Sequence, residues 1–106
     1  MPKFLIDASY TSEGVKGVQS SGGTARVEAV SRAVEGLGGR VESFYFAFGD
    51  RDVYTVIELP DNESAVALAI AVGASGLVDI RTTPLLTAEE MDAAAQKSVS
   101  YTPPGG

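Results

Sequence analysis

The chain has 106 residues and a net charge of −6, and it contains neither cysteine nor histidine. That length suits one small domain, and the negative charge disfavours binding to nucleic acid or to an anionic membrane surface. The missing residue types exclude disulfides, a thiolate nucleophile and a histidine base. No apolar run is long enough for a signal peptide or a membrane span. The sequence therefore predicts a cytoplasmic protein.

The first part of the chain predicts a strand followed by a helix in two pieces. Apolar and polar side chains alternate over residues 3–10, as they do in a strand. A short helix follows as far as Val18, and the segment Ser20-Ser-Gly-Gly23 breaks it. A longer helix then runs from Thr24 to Leu37, with valines repeating on one face. Gly38 and Gly39 end this helix.

The middle of the chain predicts a hairpin. Its strands cover residues 41–48 and 52–59, and Gly49-Asp-Arg-Asp52 forms the turn between them. Asp61 then caps a helix over residues 62–74, which is apolar almost all round. A helix of that kind is expected to be buried on more than one side.

The last part predicts a strand, a helix and a tail. The strand covers residues 77–83 and is expected to stop at Pro84. Thr87-Ala-Glu-Glu90 has the pattern of a capping box and opens a helix that reaches about Lys97. The tail, residues 98–106, is expected to be extended or disordered.

The element order β-α-β-β-α-β, followed by a helix, predicts an α+β fold of the ferredoxin-like type. Right-handed crossovers place both long helices on one side of a four-stranded antiparallel sheet with strand order 4-1-3-2. The domain is expected to span residues 1–97.

Strict alternation along the second strand puts Val41, Tyr45 and Ala47 on the helix side. It puts Phe44, Phe46 and Phe48 on the opposite side, where exposure would forgo roughly 1.5–3 kcal/mol of burial free energy for each ring. We therefore expect a homo-oligomer in which two sheets pack face to face as a dimeric α/β barrel. In the alternative, the last helix or the tail covers this side within one chain.

Charged residues share that second side of the sheet. Asp7, Glu58 and Arg81 are the candidate catalytic residues, with Asp79 nearby and Arg81 expected to pair with Asp7 or Glu58. A polar pocket inside the barrel would give one carboxylate a raised pKa and the role of a base. The alternatives are a structural ion pair or charges at a solvated rim.

Three residues are candidates for binding a ligand. Tyr10 and Tyr54 could donate hydrogen bonds at the mouth of the barrel, although core tyrosines are commoner. Arg26 follows the segment of residues 20–24, whose free amides could bind an anion, although a flexible joint explains that segment as well. No dinucleotide fingerprint is present, and the spacing of the carboxylates fits no metal-binding loop. We expect no metal and no other cofactor.

Several ordered segments together resemble the GYD-domain family of small bacterial and archaeal proteins, over residues 1 to about 97. The matching segments are Tyr10-Thr-Ser-Glu-Gly14, Ala25-Arg-Val-Glu-Ala29, Leu37-Gly-Gly39, Phe44-Tyr-Phe46, Gly49-Asp-Arg-Asp52 with Val53, Glu58-Leu-Pro-Asp61 and Arg81-Thr-Thr-Pro-Leu-Leu-Thr87. The naming motif is Gly, any residue, Tyr, Asp. Gly49 and Asp52 match it, and Arg51 stands in place of its tyrosine.

The resemblance implies a ferredoxin-like fold of the dimeric α/β-barrel kind, and it brings no established activity. Related barrels include cofactor-free oxygenases, decarboxylases and isomerases as well as non-catalytic proteins. The sequence favours a non-catalytic oligomeric module that binds a small ligand or a protein partner. The alternative is a cofactor-independent enzyme that uses the charged residues of the barrel lumen on a small organic substrate.

Overall fold

The structure is a computed structural model that describes residues 1–106. It contains four antiparallel strands in one sheet and three helices. The elements are β1 (Lys3–Tyr10), α1 (Ser12–Gly36), β2 (Arg40–Phe46), β3 (Val53–Glu58), α2 (Asn62–Ala74), β4 (Val78–Leu85) and α3 (Ala88–Ala95). The strand order is β2-β3-β1-β4. The predicted ferredoxin-like α+β fold and its strand order are confirmed. None of the helices combines the length and apolar character needed to cross a membrane.

Local side-chain chemistry explains where the helices begin and bend. Thr11 accepts a hydrogen bond from the Gly14 amide at the start of α1, and Asp61 accepts one from the Ser64 amide at the start of α2. Within α1, Gly22 has φ 84° and ψ 170°, a conformation that is open almost only to glycine. The predicted break is therefore confirmed as a kink, but the first helical piece is longer than predicted.

The core lies between the helices and one side of the sheet. Ile57, Leu59 and Val34 are its largest fully buried side chains. Fully burying one such side chain contributes about 1.5–3 kcal/mol, so this layer fixes both helices on the same side of the sheet. The opposite side carries no helix, and we call it the open face.

The second strand contains a β-bulge that the sequence did not reveal. Val41 pairs with Ile57 and Ser43 with Val56, so Glu42 is an extra residue on β2. From Ser43 onward, every side chain of β2 points to the side opposite from the predicted one. Phe44 pairs with buried Thr55 on the helix side.

The prediction that Phe44, Phe46 and Phe48 line the open face is therefore wrong. The Phe46 ring packs against Gly23 of α1, where an added Cβ would lie 3.0 Å from it. Phe48 lies beyond the strand in the loop and is fully exposed. Tyr45, which was assigned to the helix side, is exposed on the open face.

Two further expectations need correction. Within this chain α2 is buried on one side only, because Ala65 and Leu68 are buried whereas Val66 and Ile70 are exposed. The strand β4 does not stop at Pro84, which pairs with Phe4. Since β4 is an edge strand, the missing amide of proline costs no interior hydrogen bond there.

Residues 86–106, which we call the C-terminal arm, extend away from the body. A capping box of Thr87 and Glu90 starts α3 as predicted, yet every residue of the arm is exposed. The radius of gyration is 16.9 Å, compared with about 13 Å for a compact chain of 100 residues. Neither α3 nor the tail covers the open face, so the predicted alternative of a self-covered monomer is wrong.

Candidate functional site

Asp7 lies at the centre of a charge cluster on the open face. The strand alternation turns its neighbours Ile6 and Ala8 toward the helices, so Asp7 points to the other side. Its Oδ1 accepts hydrogen bonds from Arg51 Nε at 2.6 Å and from Arg81 Nε at 2.8 Å. The predicted pairing of Arg81 with Asp7 therefore agrees with the geometry.

Arg51 is the residue of this cluster that the sequence did not single out as a site residue. Its guanidinium also donates to an Asp79 carboxylate oxygen at 3.2 Å and to the carbonyl oxygens of Asp7 and Asp79 at 3.1 and 3.0 Å. The available signal was its place in the family motif, where a tyrosine is expected. The largely buried guanidinium of Arg51 occupies that position instead.

The neighbouring residue, Asp52, holds the loop that delivers Arg51. The Asp52 amide donates to the Ala8 carbonyl at 2.7 Å, and the Asp52 carboxylate accepts from the Tyr10 amide at 2.9 Å. These two bonds fasten the loop between β2 and β3 against the end of β1. Arg51 is thereby placed directly over Asp7.

The arginines around Asp7 make it a poor candidate for a base. The hydrogen bond from Arg81 lowers the pKa of Asp7; burial opposes that effect, and the bond from Arg51 adds to it. For Arg51, burial disfavours the charge, but the bonds to Asp79 and Asp7 outweigh it and raise its pKa further. Asp7 is therefore not the carboxylate of raised pKa that the sequence predicted, and both partners are charged at neutral pH.

Glu58 does not join Asp7 and Arg81. Its carboxylate forms an ion pair with Arg40 and lies 3.8 Å from Lys3 Nζ. Lys3 in turn donates to Glu42, the residue of the bulge, at 2.9 Å. The structure thus divides the predicted catalytic group into two separate ion-pair clusters at different positions along the sheet.

Tyr54 lies on the open face, separate from the other two candidate ligand residues. Tyr54 belongs to β3, where it pairs with Asp7 of β1 on one side and with Tyr45 of β2 on the other. Tyr10 and Arg26 instead line a cleft on the helix side of the sheet. Two of the three residues predicted to bind a ligand therefore line one cleft.

This cleft lies between α1, α2 and the sheet, and we call it the helix cleft. Its volume is about 570 Å³, and 16 of its 22 lining residues are hydrophobic. The helices leave this space because α1 packs on β1 and β2, whereas α2 packs mainly on β4. Pockets for small organic molecules commonly have about 300–1,000 Å³ and this apolar character.

Small residues on α1 keep the cleft open along that helix. Ala25, Ala29 and Ala33 line it at helical spacing. In the first turn of α1, Gly14 faces the loop before β4, where any Cβ would collide with the Leu77 carbonyl oxygen. The row of small side chains was visible in the sequence, but the distance between the helices was not.

Arg26 contributes the only charge in the lining of the helix cleft. Its Nε is buried and has no hydrogen-bond partner. Two of the polar neighbours are already engaged, since Thr55 donates to the Ser43 carbonyl and Ser75 to the Val72 carbonyl. The cleft is therefore an apolar space with one unpaired cationic donor in its wall.

The chain gathers no group of three or more side chains in the arrangement of a metal site. Neither a curated protein nor a solved structure matches it. The family model of the GYD domain matches residues 4–95, which include the sheet except for its first residue, Lys3, together with the Asp7 cluster and the entire lining of the helix cleft. The chain belongs to the GYD domain family.

Proposed function

We propose that the chain is a non-catalytic oligomeric module that binds a small, largely apolar molecule in the helix cleft. The helix cleft itself is the observation that carries this proposal. A space of about 570 Å³ beside the core has the size and lining of a ligand site.

The charge cluster on the open face supports binding and assembly better than catalysis. A general base needs a pKa near the working pH, whereas the arginines lower the pKa of Asp7 from its usual value. Its carboxylate is also occupied by both guanidinium groups. The enzyme alternative therefore loses its best candidate base, and we do not favour it.

The oligomeric part of the proposal rests on three uncovered surfaces. Tyr45 and Tyr54 are exposed on the open face, Val66 and Ile70 on α2, and the C-terminal arm contacts little of its own chain. Tyr45 lies beside Tyr54, and Val66 lies one turn from Ile70, and adjacent exposed apolar groups of this kind favour association. The proposed partner is a second copy of the chain. The cytoplasmic location stays a prediction from the sequence.

A neutral fluorescent probe, N-phenyl-1-naphthylamine, tests the proposed ligand site. Its emission rises when it enters an apolar environment, so titration into the purified protein should give a saturable increase. Ala29→Phe places a large side chain in the helix cleft and should abolish most of that increase. Ala74→Phe makes the same change at an exposed position of α2 outside the lining and should leave binding unchanged.

Circular dichroism should first establish that both variants are folded. Absence of saturable probe binding to the wild-type protein would overturn the proposed site. Equal binding by the wild type and a folded Ala29→Phe variant would do the same, because it would place the probe elsewhere.

A further inference from the structure

Arg26 has no counter-charge within the chain. It makes no ion pair, whereas Lys3, Arg40, Arg51 and Arg81 all pair with carboxylates. No acidic residue lines the helix cleft beside it. A half-buried guanidinium without a counter-charge, set in an otherwise apolar wall, favours an anionic group on the ligand.

The chemistry of the lining specifies what such a ligand must carry. The apolar walls favour a hydrocarbon or aromatic body, because burying that body removes apolar surface from water. The guanidinium of Arg26 favours a carboxylate, with which it forms short, charge-assisted hydrogen bonds. A neutral apolar molecule would fill the space but would leave this guanidinium without a counter-charge.

We propose that the helix cleft binds an amphipathic carboxylate, an inference that rests on the proposed function. Its apolar body lies between α1 and α2, and its carboxylate accepts hydrogen bonds from Arg26. Tyr10 also lines the cleft. This inference adds charge selectivity to a site that is otherwise defined only by its apolar character.

Displacement of N-phenyl-1-naphthylamine by matched acid and alcohol pairs tests the selectivity. The pairs are octanoate with 1-octanol and 4-phenylbutyrate with 4-phenyl-1-butanol, which distinguish aliphatic from aromatic bodies. At neutral pH the acid of at least one pair should displace the probe at a lower concentration than its alcohol. Arg26→Gln should weaken binding of that acid by about tenfold or more and leave the alcohol nearly unchanged.

Two variants control this experiment. Arg32→Gln removes the same charge from an exposed position of α1 outside the cleft lining, and it should not change the preference for the acid. Arg26→Lys keeps the charge and should restore part of the acid binding.

The possible outcomes separate this inference from the proposed function. If acids and alcohols displace the probe equally, the carboxylate inference is wrong, although the ligand site stands. If the probe itself does not bind, the proposed function fails. If the number of probe sites per chain falls as protein concentration rises, a second copy occupies the cleft, and the inference is overturned.

Discussion

Asp7 connects three separate parts of the chain through one carboxylate. It belongs to β1, its partner Arg81 belongs to β4, and Arg51 comes from the loop before β3. Such a buried group stabilises the fold only while its partners are present, since an unpaired charge in the interior is costly. The cluster therefore locks the loop between β2 and β3 against the sheet.

Asp7→Asn should destabilise the fold strongly, because it leaves the largely buried Arg51 with only the exposed Asp79 as a counter-charge. We expect a loss of about 3 kcal/mol in the free energy of unfolding. Asp79→Asn removes an exposed partner of the same guanidinium and should cost less than about 1 kcal/mol. Urea unfolding at one fixed protein concentration measures both, and similar losses would contradict the central role of Asp7.

The lowered pKa of Asp7 also predicts an acid-labile contribution to stability. Its pKa in the folded chain lies below the ordinary value of 3.8, so the carboxylate binds its proton less readily than in the unfolded chain. The contribution is therefore complete above that ordinary value and is lost as pH falls toward the folded pKa.

The difference in unfolding free energy between the wild type and Asp7→Asn isolates this contribution, because Asp61 and Glu90 also titrate at acidic pH. That difference should be constant from pH 7 to about pH 5 and should shrink below about pH 4. A difference that stays constant down to pH 2 would contradict the assignment.

At the scale of elements, local signals predicted most helices and strands correctly. The predicted bounds of β1 and α2 agree with the structure, because alternation and the cap at Asp61 are encoded by neighbouring residues. The bulge at Glu42 could not be predicted, since β2 alternates plausibly in either register. The register depends on pairing with β3, a distant part of the chain, and the bulge residue Glu42 forms an ion pair with Lys3.

The bulge makes a direct prediction about the phenylalanines. Phe44 lies on the helix side and lines the helix cleft, so Phe44→Ala should reduce the free energy of unfolding by about 2–3 kcal/mol, somewhat less than for a fully buried ring. Phe48 is fully exposed, and Phe48→Ala should change stability by less than about 0.5 kcal/mol. Urea unfolding of the two variants compares them, and the reverse order of losses would contradict the observed register.

The candidate site was less predictable than the elements. The alternation of side chains along β1 and β4 predicted that Asp7 and Arg81 lie on the same side of the sheet, and they form an ion pair there. Tyr10 and Arg26 were singled out for other reasons and come together in the helix cleft. The cleft depends on how far apart α1 and α2 pack, and no local pattern in the sequence specifies that distance.

At the scale of the whole molecule, the uncovered surfaces predict self-association. Light scattering at micromolar concentration should give a mass of at least twice the 11.0 kDa of one chain. Tyr45→Asp introduces a charge on the open face and should lower that mass if this face is the interface. A wild-type mass of 11.0 kDa at every concentration would refute the oligomeric part of the proposal.

Amide chemical-shift mapping shows directly whether the helix cleft is a ligand site. Titration of the ¹⁵N-labelled protein with octanoate and with 4-phenylbutyrate should shift amides around Tyr10, Arg26 and Ala71, which surround the cleft. Amides around Tyr54 and Arg81 on the open face should move far less. Shifts confined to the open face or the C-terminal arm would contradict a ligand site in the helix cleft, and no shifts with either acid would contradict the binding of an amphipathic carboxylate there.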